Sequence, residues 1–160
     1  MPTENQSNVE YMASKVMRMP DGEQVRVLVI DDDDFISGIY IMTLRKAGAN
    51  VKSVPDGETG AKAAELFKPH VILLDVLMPG LDGFETIKRL KQNKATSGIP
   101  VVFLTSLSQN EDVSRGTSLG AFAFLKKTET LPEDSLNTVR RAIGLSDGSA
   151  GGPEGKGDNT

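Results

Sequence analysis

Four consecutive aspartates, Asp31 to Asp34, follow the apolar run "VRVLVI". Like charges in a row repel one another unless a cation sits among them. Other chemistry-bearing residues end other apolar runs: Asp75 after "HVILL", Thr105 and Ser106 after "PVVFL", Lys126 and Lys127 after "AFAFL". Carboxylates, a hydroxyl and an ammonium brought to one place suit phosphoryl transfer to an aspartate. A carboxylate attacks phosphorus, a divalent ion offsets the developing charge, and lysine and hydroxyl hold the phosphoryl oxygens. Mg²⁺ fits an all-oxygen set, because it needs only one or a few carboxylates and keeps several waters. A calcium loop of the EF-hand kind is excluded. Starting at Asp31, it would need glycine at its sixth position and glutamate at its twelfth, where the chain has Ile36 and Met42. Two of the four aspartates are expected only to face solvent, since successive residues leaving a strand point in different directions.

Other chemistries find no residues. The chain has no cysteine, so thiolate metal sites, disulfides and a cysteine nucleophile are excluded. No GxxxxGK[ST] loop is present for a nucleotide. The single histidine, His70, begins the third apolar run, at the opposite end from Asp75, and is expected to be a surface residue. The net charge of −4 gives no general attraction for nucleic acid or an anionic membrane. No basic region followed by an apolar stretch opens the chain, and no apolar run reaches the length of a membrane span, so a cytoplasmic protein is expected.

The elements that must position these residues alternate along the chain. "VRVLVI", "VKSV", "HVILLD", "PVVFLT" and "AFAFLKK" read as strands. Each is followed by a helical pattern. The first helix is expected to turn Ile36, Ile39, Tyr40 and Leu44 inward and to stop at Gly48; the second turns in Gly60, Ala63, Ala64 and Phe67. The third turns in Phe84, Ile87 and Leu90, and the last Leu136, Val139 and Ile143. The fourth, "NEDVSRGTSLG", is weakly amphipathic and carries Gly116. Five strand–helix repeats predict an α/β fold, a five-stranded parallel sheet with helices on both faces and the site at the carboxyl ends of the strands. This domain should span residues 25–145. Residues 1–24 read as a flexible extension in which Val9, Met12, Val16 and Met19 have near-helical spacing, closed by a turn at Pro20-Asp21-Gly22. Residues 146–160 read as a disordered glycine-rich tail.

"VLVIDDD", "LLDVLMPGLDG", "FLTS" and "LGAFAFLKK" together resemble the receiver domain of bacterial two-component response regulators. The spacing agrees, with 30 positions from Asp75 to Thr105 and 22 from Thr105 to Lys127. The resemblance implies a flavodoxin-like fold with strand order 2-1-3-4-5. It implies Asp75 as phosphoacceptor. Asp32, Asp75 and the backbone carbonyl of Leu77 would ligate Mg²⁺ directly, with Asp31 acting through water. Thr105 would bond a phosphoryl oxygen. The residues alone leave Lys126 and Lys127 equivalent; the family pattern counted from Gly120 selects Lys127 and makes Phe124 the switch aromatic. One departure stands out: the family usually follows this lysine with a cis proline, and this chain has Thr128, so a trans peptide and a different loop are expected.

The resemblance further implies a sensor histidine kinase or a histidine phosphotransfer protein as phosphoryl source. Phosphorylated Asp75 would draw Thr105 toward it, Phe124 would turn into the space, and the face of the fourth helix, fifth strand and fifth helix would change for a downstream protein. Only 15 residues follow Leu145, which reads as a stand-alone receiver without a DNA-binding output domain. A receiver-like adaptor that works without phosphorylation is the alternative. An aspartate-nucleophile phosphatase would show a second aspartate two residues after the first, where this chain has Leu77.

Overall fold

The computed structural model describes residues 16–107 and 109–145. Five strands and five helices alternate: β1 (Arg26–Ile30), α1 (Asp34–Lys46), β2 (Asn50–Val54), α2 (Gly57–Phe67), β3 (Val71–Leu74), α3 (Gly83–Gln92), β4 (Val101–Thr105), α4 (Asn110–Ser118), β5 (Ala123–Lys126) and α5 (Pro132–Ala142). The strands pair in parallel in the order β2-β1-β3-β4-β5, as expected. The order reverses between β1 and β3, which opens a crevice at their carboxyl ends. Among the described residues no helix is long and apolar enough to cross a membrane.

The period of two along each strand divides the core into layers. Leu28, Ile30, Ile72, Leu74 and Phe103 face α2 and α3 on one side. Val27, Val29, Val71, Leu73 and Val102 face α1 and α5 on the other. Both faces of β3 and β4 are therefore covered, which is why these strands read as unbroken apolar runs.

Three expectations need correction. In α1 the buried residues are Ser37, Tyr40, Ile41 and Leu44, while Ile39 points outward at 48% exposure with Phe35 and Met42 also exposed. Apolar residues surround this helix almost completely, so hydrophobicity cannot choose its face. Second, residues 16–24 are tied to the domain. Met17 lies in the core beside Val25 and Leu44, and Val25 N–H donates to Met17 O at 2.8 Å. The turn at Pro20-Asp21-Gly22 is present, with Gly22 at φ +93°. Val16 to Met19 are not helical; Val9 and Met12 lie outside the described residues, as does the tail. Third, His70 is not a plain surface side chain. Its Nδ1 accepts from Arg26 N–H at 2.9 Å, and its Nε2 stands 3.3 Å from a Glu23 carboxylate oxygen.

Candidate functional site

Asp31 is the first residue after β1 and Asp75 the first after β3. Backbone pairing continues through both: Asp31 N–H reaches Val54 O at 3.1 Å, and Asp75 N–H reaches Ile30 O at 2.9 Å. The crevice thus receives one carboxylate from each wall. Both residues are nearly sealed from water, at 3% and 5% exposure, whereas Asp32 is open. Carboxylate oxygens of Asp31, Asp32 and Asp75 lie within 4.8 Å of one another.

The other two aspartates do more than face solvent. Asp33 caps α1, accepting from the N–H groups of Phe35 and Ile36 at 3.1 and 3.3 Å. Its own N–H donates to Asp31 Oδ1 at 2.9 Å, which fixes that carboxylate. Asp34 opens α1, where a negative charge suits the helix dipole. The run of four therefore divides into a buried acid, an exposed acid, a cap and a dipole partner.

Lys127 follows β5, held by its N–H to Thr105 O at 2.9 Å. Its Nζ lies 2.6 Å from Asp31 Oδ2 and 3.3 Å from Asp75 Oδ2. Lys126 instead points to Glu129, at 3.8 Å. The Lys127–Thr128 peptide is trans, and the ammonium reaches both carboxylates nonetheless. Burial pushes the Asp31 carboxyl up to about 6, against the Lys127 and Asp33 hydrogen bonds that lower it. Burial also opposes the Lys127 charge, but the Asp31 hydrogen bond and the charges of Asp75 and Asp31 outweigh it and raise this lysine. Two buried carboxylates thus share one ammonium and, among the described residues, lack a second positive charge. All the donors are oxygens, so the set fits Mg²⁺, with Asp31, Asp32 and Asp75 as the residues to hold it.

Thr105 ends β4 on the same rim, fully buried, and its hydroxyl accepts from Leu107 N–H at 3.3 Å. Among the described residues no hydrogen bond joins it to Asp75. Leu77 lies in the β3–α3 loop with its side chain outward, 55% exposed. Phe124 is half-buried on β5, its ring 5.6 Å from that of Phe103 and packed beside Gly116.

Two residues that position the site carry no obvious chemistry in the sequence. Gly83 begins α3, and its N–H donates to Val76 O at 2.9 Å. A Cβ there would stand 2.7 Å from Val76 Cα and collide with the Asp75 carbonyl, so only glycine lets α3 start this close to Asp75. The "LDG" of the third loop is the signal that could have found it. The second is Tyr40, whose hydroxyl lies within hydrogen-bond distance of the Lys127 and Thr130 carbonyls.

The sequence model of one family, described as the response regulator receiver domain, matches residues 27–138. The chain belongs to that family. PilH of Pseudomonas aeruginosa is 36% identical over 120 residues, covering 74% of this receiver chain and 96% of PilH. The DNA-binding dual master transcriptional regulator RpaA of Synechocystis is 37% identical over 122 residues, 76% of this chain. The receiver chain spans 50% of the length of RpaA and 16% of the gliding motility regulatory protein of Myxococcus xanthus, which is 37% identical. Among solved structures, the chemotaxis response regulator CheY4 of Vibrio cholerae superposes with a TM-score of 0.70 at 31% identity, covering 75% of this chain and 99% of CheY4. The BeF3-activated DrrB receiver domain gives 0.67 at 30%, covering 76% and 99%.

Proposed function

We propose that this receiver takes a phosphoryl group onto Asp75 from the phosphohistidine of a sensor histidine kinase or a histidine phosphotransfer protein. The observation that carries this reading is the setting of Asp75. One of its oxygens accepts from Val76 N–H at 2.8 Å, and the other stands 3.3 Å from a buried ammonium. A carboxylate oxygen forms the new bond to phosphorus while the P–N bond to the imidazole breaks, and the imidazole, already protonated on its other ring nitrogen, leaves neutral. Lys127 pairs with the transferred oxygens and Thr105 donates to one of them. Asp31, Asp32, Asp75 and the Leu77 carbonyl would hold Mg²⁺, which when bound would supply positive charge against the phosphoryl group.

The output is a protein contact. Thr105 moves toward the phosphoryl group, Phe124 follows, and the face of α4, β5 and α5 changes for a partner. The net charge of −4 favours a protein over nucleic acid as that partner. The chemistry is confined to the protein's own phosphorylation and dephosphorylation, in the cytoplasm where kinases draw on ATP. A second reading, an adaptor that needs no phosphorylation, is favoured by one observation: Lys127 already closes on Asp31 at 2.6 Å.

Intact-mass spectrometry after incubation with acetyl phosphate and Mg²⁺ separates the two. One added phosphoryl group in wild type, absent from Asp75→Asn and from samples in EDTA, is the expected result. An unmodified wild type that still captures its partner would establish the adaptor instead.

A further inference from the structure

Lys127 to Leu131 connect β5 to α5, and this short loop carries the only cation between the two buried carboxylates among the described residues. Its own ties are few. Lys127 N–H donates to Thr105 O at 2.9 Å and Glu129 N–H to Lys126 O at 3.1 Å. The Lys126–Glu129 pair is exposed and long at 3.8 Å, which contributes little. Leu131 gives α5 no side-chain cap, and no proline ring restrains Thr128.

At the far end of the loop Leu131 O accepts from Asp134 N–H and Ser135 N–H at 3.0 and 3.2 Å, in the first turn of α5. A further tie comes from the middle of α1. Tyr40 is 4% exposed, and its hydroxyl lies 3.0 Å from Lys127 O and 2.9 Å from Thr130 O. A phenol has one proton, so the two carbonyls share it. Burial raises the Tyr40 phenol, which keeps that proton in place. Two carbonyls three residues apart are thereby drawn to one point. The backbone of Lys127 is held on its N–H side by β4 and on its C=O side by α1, and its side chain leaves from between these anchors toward Asp31 and Asp75.

We infer that Tyr40 is a positioning residue for Lys127, its hydroxyl locking the β5–α5 loop so that the ammonium stands at Asp75. The effect on phosphoryl transfer rests on the function proposed above; the effect on the loop does not. The helix that follows the acid pair thus also fixes the lysine that faces it.

Tyr40→Phe removes the hydroxyl and keeps the ring. Hydrogen exchange across residues 127–131 of unphosphorylated protein should accelerate about fivefold, as expected for one net hydrogen bond lost. The initial rate of phosphorylation by acetyl phosphate should fall about five- to tenfold, while the Mg²⁺ dissociation constant does not weaken. A purely structural role would not divide the effect this way. In a Lys127→Ala background, adding Tyr40→Phe should change the rate less than about twofold, because the two act through one group. Unchanged loop exchange in Tyr40→Phe overturns the inference, and so does a full-sized rate loss in the Lys127→Ala background. If wild type accepts no phosphoryl group, the proposed function fails, and the exchange measurement alone decides the role of Tyr40.

Discussion

Among the described residues Asp31 and Asp75 face a single ammonium, and the excess negative charge is sealed from water. Burial is the largest cause that moves Asp31 from 3.8 up to about 6; the Lys127 and Asp33 hydrogen bonds pull it down, and the Asp75 charge pushes it up again. A carboxyl with a raised folded pKa binds its proton more tightly in the native state than in the unfolded chain. Its contribution to stability is full below the unfolded value and is lost as pH rises through the folded one. Metal-free wild type should therefore gain stability from this group as pH falls from about 7.5 toward 4. Asp31→Asn, which carries no charge to bury, should be the more stable protein at the upper pH, by on the order of 3 kcal/mol. The two should converge at the lower pH. Urea unfolding in EDTA at both values checks this. A mutant less stable than wild type at neutral pH would mean that the Lys127 pairing outweighs the cost of burial.

Among the helices, α4 is the one whose packing runs against its sequence. By propensity Gly116 weakens it, and alanine should gain about 0.8–1 kcal/mol. Yet Gly116 is the buried residue of α4, and a Cβ there would stand 3.1 Å from the Phe103 ring and 3.2 Å from that of Phe124. Phe103 is fully enclosed and cannot give way, so α4 must lift. Overpacking of this kind costs about 1–3 kcal/mol. Gly116→Ala should lower stability by about 1 kcal/mol and speed amide exchange across α4. A higher melting temperature would show that propensity governs here. The same helix marks a limit of sequence reading. Buried parallel strands announce themselves as apolar runs, and α3 presents one clear apolar face through Phe84, Ile87 and Leu90. In α4 and α1 the choice of face depends on what the sheet offers. Gly116 is small because two aromatic rings meet it, and Ser37 rather than Ile39 turns inward on α1.

Across the whole molecule, parallel order brings every strand's carboxyl end to one rim, so the residue following each apolar run already outlines the site. Asp31, Asp75 and Thr105 were legible for that reason, whereas Lys127 was told from Lys126 only by the family pattern counted from Gly120. Tyr40 was not legible, and Gly83 was marked only by "LDG", because they act on backbone atoms, and no side chain marks which carbonyl or Cα will lie close by. The rim also predicts how an ion couples to folding. Asp31 and Asp75 are 44 positions apart in the chain, and only the fold brings them together. An ion bound to the native state alone stabilises it by mass action, by about 2.7 kcal/mol at a hundredfold excess over its dissociation constant. Mg²⁺ should therefore raise the melting temperature at about pH 8, measured against sodium chloride of equal ionic strength. The increment should shrink as pH falls through about 6, where a proton on Asp31 competes for the site. Asp32→Asn should reduce the increment at the upper pH while leaving the metal-free dependence on Asp31 in place, since Asp32 is exposed. A Mg²⁺ increment indifferent to both pH and Asp32→Asn would put the ion somewhere other than this rim.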